Sequence, residues 1–225
     1  MAGFRRDRSS LSRAAKRKQQ ERDKLDATPP WQHARHDDSS ETTGPYDVKD
    51  TPDDDHERVD LGALRLPVVK GIDIQAEADS EGRVSTVRLV RKGTQMQVGV
   101  FAAPRAEGIW DEIREEIAGS MSGGGGAAEE FEGDRFGVEL RGELSGARGA
   151  RTPVRFLGVD GPRWFVRAMI VGPGATDEEA AEPLLAVFAD TVVVRGRDAL
   201  PVREPVPLHL PKTDAADEAD EDPES

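Results

Sequence analysis

Between Val59 and Leu210 apolar residues recur with a period that changes along the chain, and each period predicts an element. Ile72, Ile74 and Ala76 alternate with polar residues, as do Val84 to Val90 in part, and then Met96, Val98 and Val100. Three strands follow, with turns at Asp79-Ser80-Glu81-Gly82 and Arg91-Lys92-Gly93. Alternation leaves one face of a sheet in water, which favours antiparallel pairing over a doubly covered parallel sheet. Ile109, Trp110, Ile113, Ile117 and Met121 then recur at helical spacing, with Asp111, Glu112, Arg114, Glu115 and Glu116 on the polar side. The run Gly123 to Gly126 ends that helix. Phe131, Val138, Leu140 and Leu144 resume alternation around a turn at Glu132-Gly133-Asp134, and Val154, Phe156 and Val159 lead to a tight turn at Asp160-Gly161-Pro162.

Trp164 to Val171 is apolar on both faces except at Arg167, which predicts a central strand. A second helix is predicted from Thr176, because Thr176 and Glu179 have capping-box spacing and Leu184, Leu185 and Phe188 supply a buried face. Pro183 should kink or restart it. Thr191 to Val194 reads as a last strand. The segment Val202 to Leu210 is broken by Pro201, Pro205, Pro207 and Pro211, so it is an edge strand or an extended strap. The pattern is α+β: a mainly antiparallel sheet with two packed helices.

The chain of 225 residues carries a net charge of −13, spread unevenly. Residues 1–24 hold nine Arg or Lys against three acids, residues 25–60 eleven acids against three bases, and residues 212–225 seven acids against one Lys. These ends hold few large apolar residues, which predicts a disordered basic arm and acidic linker over 1–56, one folded domain over 57–211 and a disordered acidic tail over 212–225. No apolar run of membrane-spanning length occurs and no apolar stretch follows Arg5-Arg6, so no membrane is involved and the cytoplasm is the expected location. Cysteine is absent, which excludes disulfides, thiolate metal sites and cysteine nucleophiles.

Candidate chemistry is sparse. Gly123 to Gly126 follows a helix and lacks the Lys-Ser/Thr of a phosphate loop. His33 and His36, beside Asp37 and Asp38, lie in the acidic linker without a framework to hold a metal, and so does His56; His209 is isolated in the strap. No cofactor or metal site and no catalytic residue emerge. The polar loop Arg105 to Gly108 runs into Trp110, and the turn Asp160 to Arg163 runs into Trp164. Loops anchored in this way commonly present recognition groups, so Arg105, Glu107, Trp110, Asp160, Arg163 and Trp164 are the candidate partner-binding residues.

Three stretches taken together resemble a known family: FAAPRAEGIWDEIREEI from Phe101, VRFLGVDGPRWFVRAMIVGPGA from Val154 and DTVVVRG from Asp190. VDLG from Val59 and the Pro-rich strap fit as well. The family is the actinobacterial one catalogued as domain of unknown function 3710, and the resemblance covers about residues 57 to 211. It implies a cytoplasmic actinobacterial protein and brings no assigned reaction. The closing strand, capped helix and short strand are similar to the PsbP and Mog1 fold, an α/β/α sandwich of binding and assembly proteins, by topology alone. The function expected is that of a non-enzymatic interaction or assembly protein with an unidentified protein partner. The alternatives are a nucleic-acid-associated accessory protein using residues 5–24, and a small enzyme using Asp, Glu and Arg of the sheet face.

Overall fold

The structure, a computed structural model, describes residues 44–78, 83–105 and 108–209. Expectations for residues 1–43 and 210–225, for the turn at residues 79–82 and for Glu107 lie outside the described residues.

Seven antiparallel strands form the main sheet, in the order β4-β5-β6-β10-β9-β8-β7. They are β4 (Asp73–Ala78), β5 (Val84–Arg91), β6 (Thr94–Ala102), β7 (Ala127–Gly133), β8 (Gly137–Ser145), β9 (Arg151–Gly161) and β10 (Trp164–Val171). β10 is the middle strand, as its two apolar faces predicted. A smaller sheet contains β1 (Tyr46–Asp47), β11 (Val192–Val193), β3 (Leu64–Pro67) and β2 (Arg58–Asp60), in that order, with β1 parallel to β11. The helices are α1 (Trp110–Gly123) and α2 (Glu178–Ala189).

The period of two along β10 sorts its side chains between two cores. Trp164, Val166, Ala168 and Ile170 join the larger cluster with Leu184 and Phe188 of α2 and Leu64 and Leu66 of the small sheet. Phe165 joins the smaller cluster, where α1 brings Trp110, Met121 and, partly buried, Ile113 and Ile117 onto β8 and β9. α1 packs on β7, β8 and β9. On the same face β4, β5 and β6 present Glu77, Thr86, Arg88 and Gln97, the wet half read from their alternation.

Local chemistry explains the connections. Lys92 and Gly93 both have positive φ (46° and 83°), the requirement of a tight hairpin turn. At the β9–β10 turn Pro162 fixes one corner and Arg163 takes a left-handed φ of 65° at the next. α1 ends at the predicted glycine run, with Gly124 as its C-cap. The strap bridges Phe101 to Pro205 and Leu208 to both Gly62 and Val84, as an extended edge should.

Four expectations are corrected. Residues 44–56, read as linker, include β1, and the backbone N–H of Tyr46 donates to the Thr191 carbonyl (2.8 Å). The N-cap of α2 is Asp177, whose carboxylate accepts from the backbone N–H groups of Glu179 and Ala180, whereas the Thr176 hydroxyl turns back to the Pro173 carbonyl. Pro183 sits inside α2, which runs through it as one helix, so the helix does not restart there. Arg114, placed on the polar side of α1, is buried at 7% exposure. Its long stem lets the guanidinium lie over the Trp110 ring while Nε donates to Glu130 (2.7 Å) and Nη1 to Asp111 (2.8 Å).

Candidate functional site

The two loops singled out in the sequence meet. Asp160, at the end of β9, accepts hydrogen bonds from the backbone N–H groups of Ile109 (2.8 Å) and Trp110 (3.2 Å). The residue before α1 is Ile109, which cannot cap, so a carboxylate from a neighbouring strand satisfies the open helix start. Burial raises the Asp160 carboxyl above the ordinary aspartate value, the two N–H donors oppose that shift, and Asp111 adds to it. The Arg163 carbonyl accepts from the backbone N–H of Ala103 (3.0 Å) and from Nε of Arg195 (3.1 Å). Arg105 is exposed two residues beyond Ala103.

The tryptophans hold this junction from inside. Trp110 stacks on Phe165 with ring centroids 5.8 Å apart, and its Nε1 donates to the Val138 carbonyl (2.7 Å). The ring lies against Gly158, where any Cβ would overlap it, so glycine is required there. Trp164 is fully buried, and its Nε1 donates to the Asp47 carboxylate (2.9 Å). Of the six candidates, Arg105 is exposed and Arg163 and Asp160 are half-buried, whereas Trp110 and Trp164 face inward and cannot touch a partner directly.

Charge around the junction is unbalanced. Among the described residues nine arginines, including Arg58, Arg114, Arg155 and Arg203, sit within ion-pair distance of a carboxylate. Arg105, Arg163 and Arg195 have no such described partner. Arg195 is only 8% exposed. Burial lowers its guanidinium below the usual arginine value, the neighbouring Arg163 lowers it further, and Asp198 opposes both.

Arg167 was legible as the lone charge in an apolar strand, yet it was not among the candidates. It projects from the α1 face of β10 beside a cleft of about 280 Å³, lined by Phe101, Ile113, Glu116, Ile117, Ser120, Phe165 and Arg203. Its cross-strand neighbours are Gly99 on β6 and Gly158 on β9, so neither directly paired residue puts a side chain beside it. The guanidinium lies 5.1 Å from the centre of the Phe101 ring, and burial holds it below the usual arginine value. Arg203, at the same cleft, is engaged by Glu112 (2.9 Å) and Glu116 (2.9 Å).

Two other charged groups are internally complete. Under α2 the buried Glu139 receives Nε and Nη2 of Arg155 at 2.7 and 2.8 Å, while Glu178 bridges Arg155 and Arg141. Near α2's end His56 Nδ1 lies 2.7 Å from Asp190, beside a cavity of about 600 Å³. Asp54, His56 and Asp190 could together ligate a metal. Arg58 already forks onto Asp54 (2.8 Å to each oxygen) and reaches Asp190 (2.6 Å), so a cation occupies the centre of that group. The Arg58 fork holds the Asp54 carboxyl down at about 2. By sequence His56 belongs to the linker; the contact that orients it spans 134 residues and leaves no local signal.

Among the described residues no helix is long and apolar enough to cross a membrane. The strand order, the two helices and the motifs around Trp110 and Trp164 define an α+β domain with a built surface at one end of its sheet. The chain belongs to the family of proteins of unknown function DUF3710, whose model matches residues 44–217. That match begins at Gly44, next to β1, in agreement with the earlier start of the fold. No curated protein matches the chain.

Proposed function

We propose that this domain is a non-enzymatic interaction module that recognises an acidic segment of a protein partner through a rim of Arg105 and Arg163, with the buried Arg195 guanidinium adding positive charge behind it. One observation carries the reading: the Arg163 carbonyl receives both the Ala103 N–H, two residues before Arg105, and Arg195 Nε, and none of these three arginines has a described carboxylate partner in a domain where nine arginines are ion-paired. The rim stands on rigid support, because Asp160 ties one loop to α1 and both tryptophans are hydrogen-bonded beneath it. Arg163 also holds a left-handed backbone that costs a non-glycine residue about 1–2 kcal/mol, and outliers of this kind concentrate at recognition sites. Little entropy is then lost on binding.

The test is affinity capture from native cells with the full chain, the Arg105→Glu/Arg163→Asp double variant and a deletion of residues 1–24. Asp is chosen at 163 because it tolerates the left-handed backbone. The double variant should lose the captured proteins while keeping its melting temperature, and the deletion should retain them at lower yield. Capture that survives the reversals, is lost with residues 1–24 and is removed by nuclease would transfer the function to nucleic-acid binding by the arm.

A further inference from the structure

We propose that the Arg167 cleft is a binding site for a small organic carboxylate with an apolar body, such as an aryl- or alkyl-carboxylic acid. The acid group would sit against Arg167 and the body between Phe101, Phe165 and the Ile113–Ile117 side of α1. Four observations converge on this chemistry.

First, a guanidinium is a planar fork of donors whose natural complement is a carboxylate. Arg167 has no carboxylate within ion-pair distance among the described residues, and its described contact is the Phe101 ring. Second, the space beside it is made by the sequence. Gly158 and Gly99, the cross-strand neighbours of Arg167, admit the Trp110 ring and the Phe165 and Phe101 rings that wall the cleft, and α1 covers β7 to β9 but leaves this margin open. Third, the walls are apolar: two phenylalanines and two isoleucines, with the hydroxyl of Ser120 as a further polar group. A volume of about 280 Å³ lies at the lower end of the range for organic ligands.

Fourth, the charge balance selects a monoanion. Arg203 shares the cleft, but Glu112 and Glu116 both pair with it, so those three groups together carry one negative charge and Arg167 is the cation left to face a ligand anion. A phosphate dianion would bring a second charge next to Glu116 with no donor to meet it. The site does not depend on the arginine rim, since Arg105, Arg163 and Arg195 do not line the cleft.

The experiment is an NMR titration of the full-length protein with 3-phenylpropionate, with its uncharged amide as control and inorganic phosphate as a third probe. The acid should shift the amide signals of Phe101, Ile113, Ile117 and Arg167 saturably. The amide should bind at least about tenfold more weakly, the loss expected for one charge-assisted pair. Phosphate should cause no saturable shift there. Arg167→Met should fold with an unchanged or higher melting temperature and lose the acid by at least about tenfold, because methionine keeps the apolar stem and removes the charge. Arg105→Glu/Arg163→Asp should bind the acid as the parent does. Equal binding of acid and amide, undiminished binding by Arg167→Met, or no saturable shift with the acid at tens of millimolar would each overturn the assignment. A large fall in the melting temperature of Arg167→Met would do so too, by making Arg167 a structural residue.

Discussion

Replacing Asp47 by Ala tests the least expected part of the fold, the seating of residues 44–50 against the core. Asp47 is 6% exposed, and its carboxylate accepts from Trp164 Nε1 at 2.9 Å, across 117 residues of sequence. Its other oxygen accepts from the backbone N–H of Lys49 (3.2 Å) and caps the short turn of helix Val48–Asp50. In Asp47→Ala the indole N–H stays buried in a fully enclosed side chain without an acceptor, which costs about 1–3 kcal/mol. Loss of the cap adds roughly 0.5–1 kcal/mol. The sum is about 1.5–4 kcal/mol, or a drop of about 3–16 °C in melting temperature for a domain of this size. Asp47→Asn retains an acceptor oxygen and should lose about 1 kcal/mol. Urea denaturation followed by tryptophan fluorescence gives both values. In Trp164→Phe the donor itself is gone, so the further effect of Asp47→Ala should shrink to the cap alone. An unchanged denaturation midpoint for Asp47→Ala, within about 0.5 kcal/mol, would show that Asp47 is solvated and that this segment is not part of the folded unit.

Gly158→Ala should be severely destabilising, by about 3 kcal/mol or more, since a Cβ there meets the Trp110 ring and must separate α1 from β9; a melting temperature within 2–4 °C of the parent, the span of about 1 kcal/mol, would refute the stacking. Acid titration of the carboxyl carbons by NMR should separate two aspartates whose ordinary value is 3.8. Asp54, held at about 2 by the Arg58 fork, lends stability that is fully present above 3.8 and is lost as pH falls toward 2. Asp160, raised by burial, works in the opposite direction: its contribution is fully present below 3.8 and is lost as pH rises through its folded value. Coincident titration of the two near 3.8 would remove both environments.

Much of the fold was legible because the strands that matter most are those with the clearest pattern. β10 could be placed at the centre from its apolar faces alone, and the β5–β6 turn from Lys92-Gly93. What escaped has physical reasons. β7, AAEEFEG, is legible only at Phe131, and Glu132 and Gly133, which read as turn, are its last residues. As an edge strand it needs no apolar face, and Phe131 is half open with the Arg141 guanidinium 3.7 Å from the ring centre. β1 is two residues long and pairs with β11 near the other end of the chain, so no periodicity could announce it. The candidate site was half legible. Arg105, Asp160 and Arg163 could be found because turn chemistry and neighbouring tryptophans mark the loops. Arg195 could not, since its place at the rim follows from a hydrogen bond to a carbonyl 32 residues away.

Arg155 and Arg167 show why the α1 face is the one to probe. Both belong to the middle of the same sheet, and each is subject to the cost of removing a guanidinium from water. On the α2 face Arg155 meets that cost with two carboxylates, Glu139 and Glu178, and nothing remains for a ligand to offset. On the α1 face Arg167 has an aromatic ring and two flanking glycines, so its desolvation is left uncompensated. A carboxylate in the cleft and an Arg167→Met substitution would relieve the same deficit by different routes, one by pairing the charge and the other by deleting it. Effects with one source do not add. 3-Phenylpropionate should therefore raise the melting temperature of the parent protein and leave that of Arg167→Met where the substitution put it. An equal rise in both proteins would mean that the acid binds elsewhere.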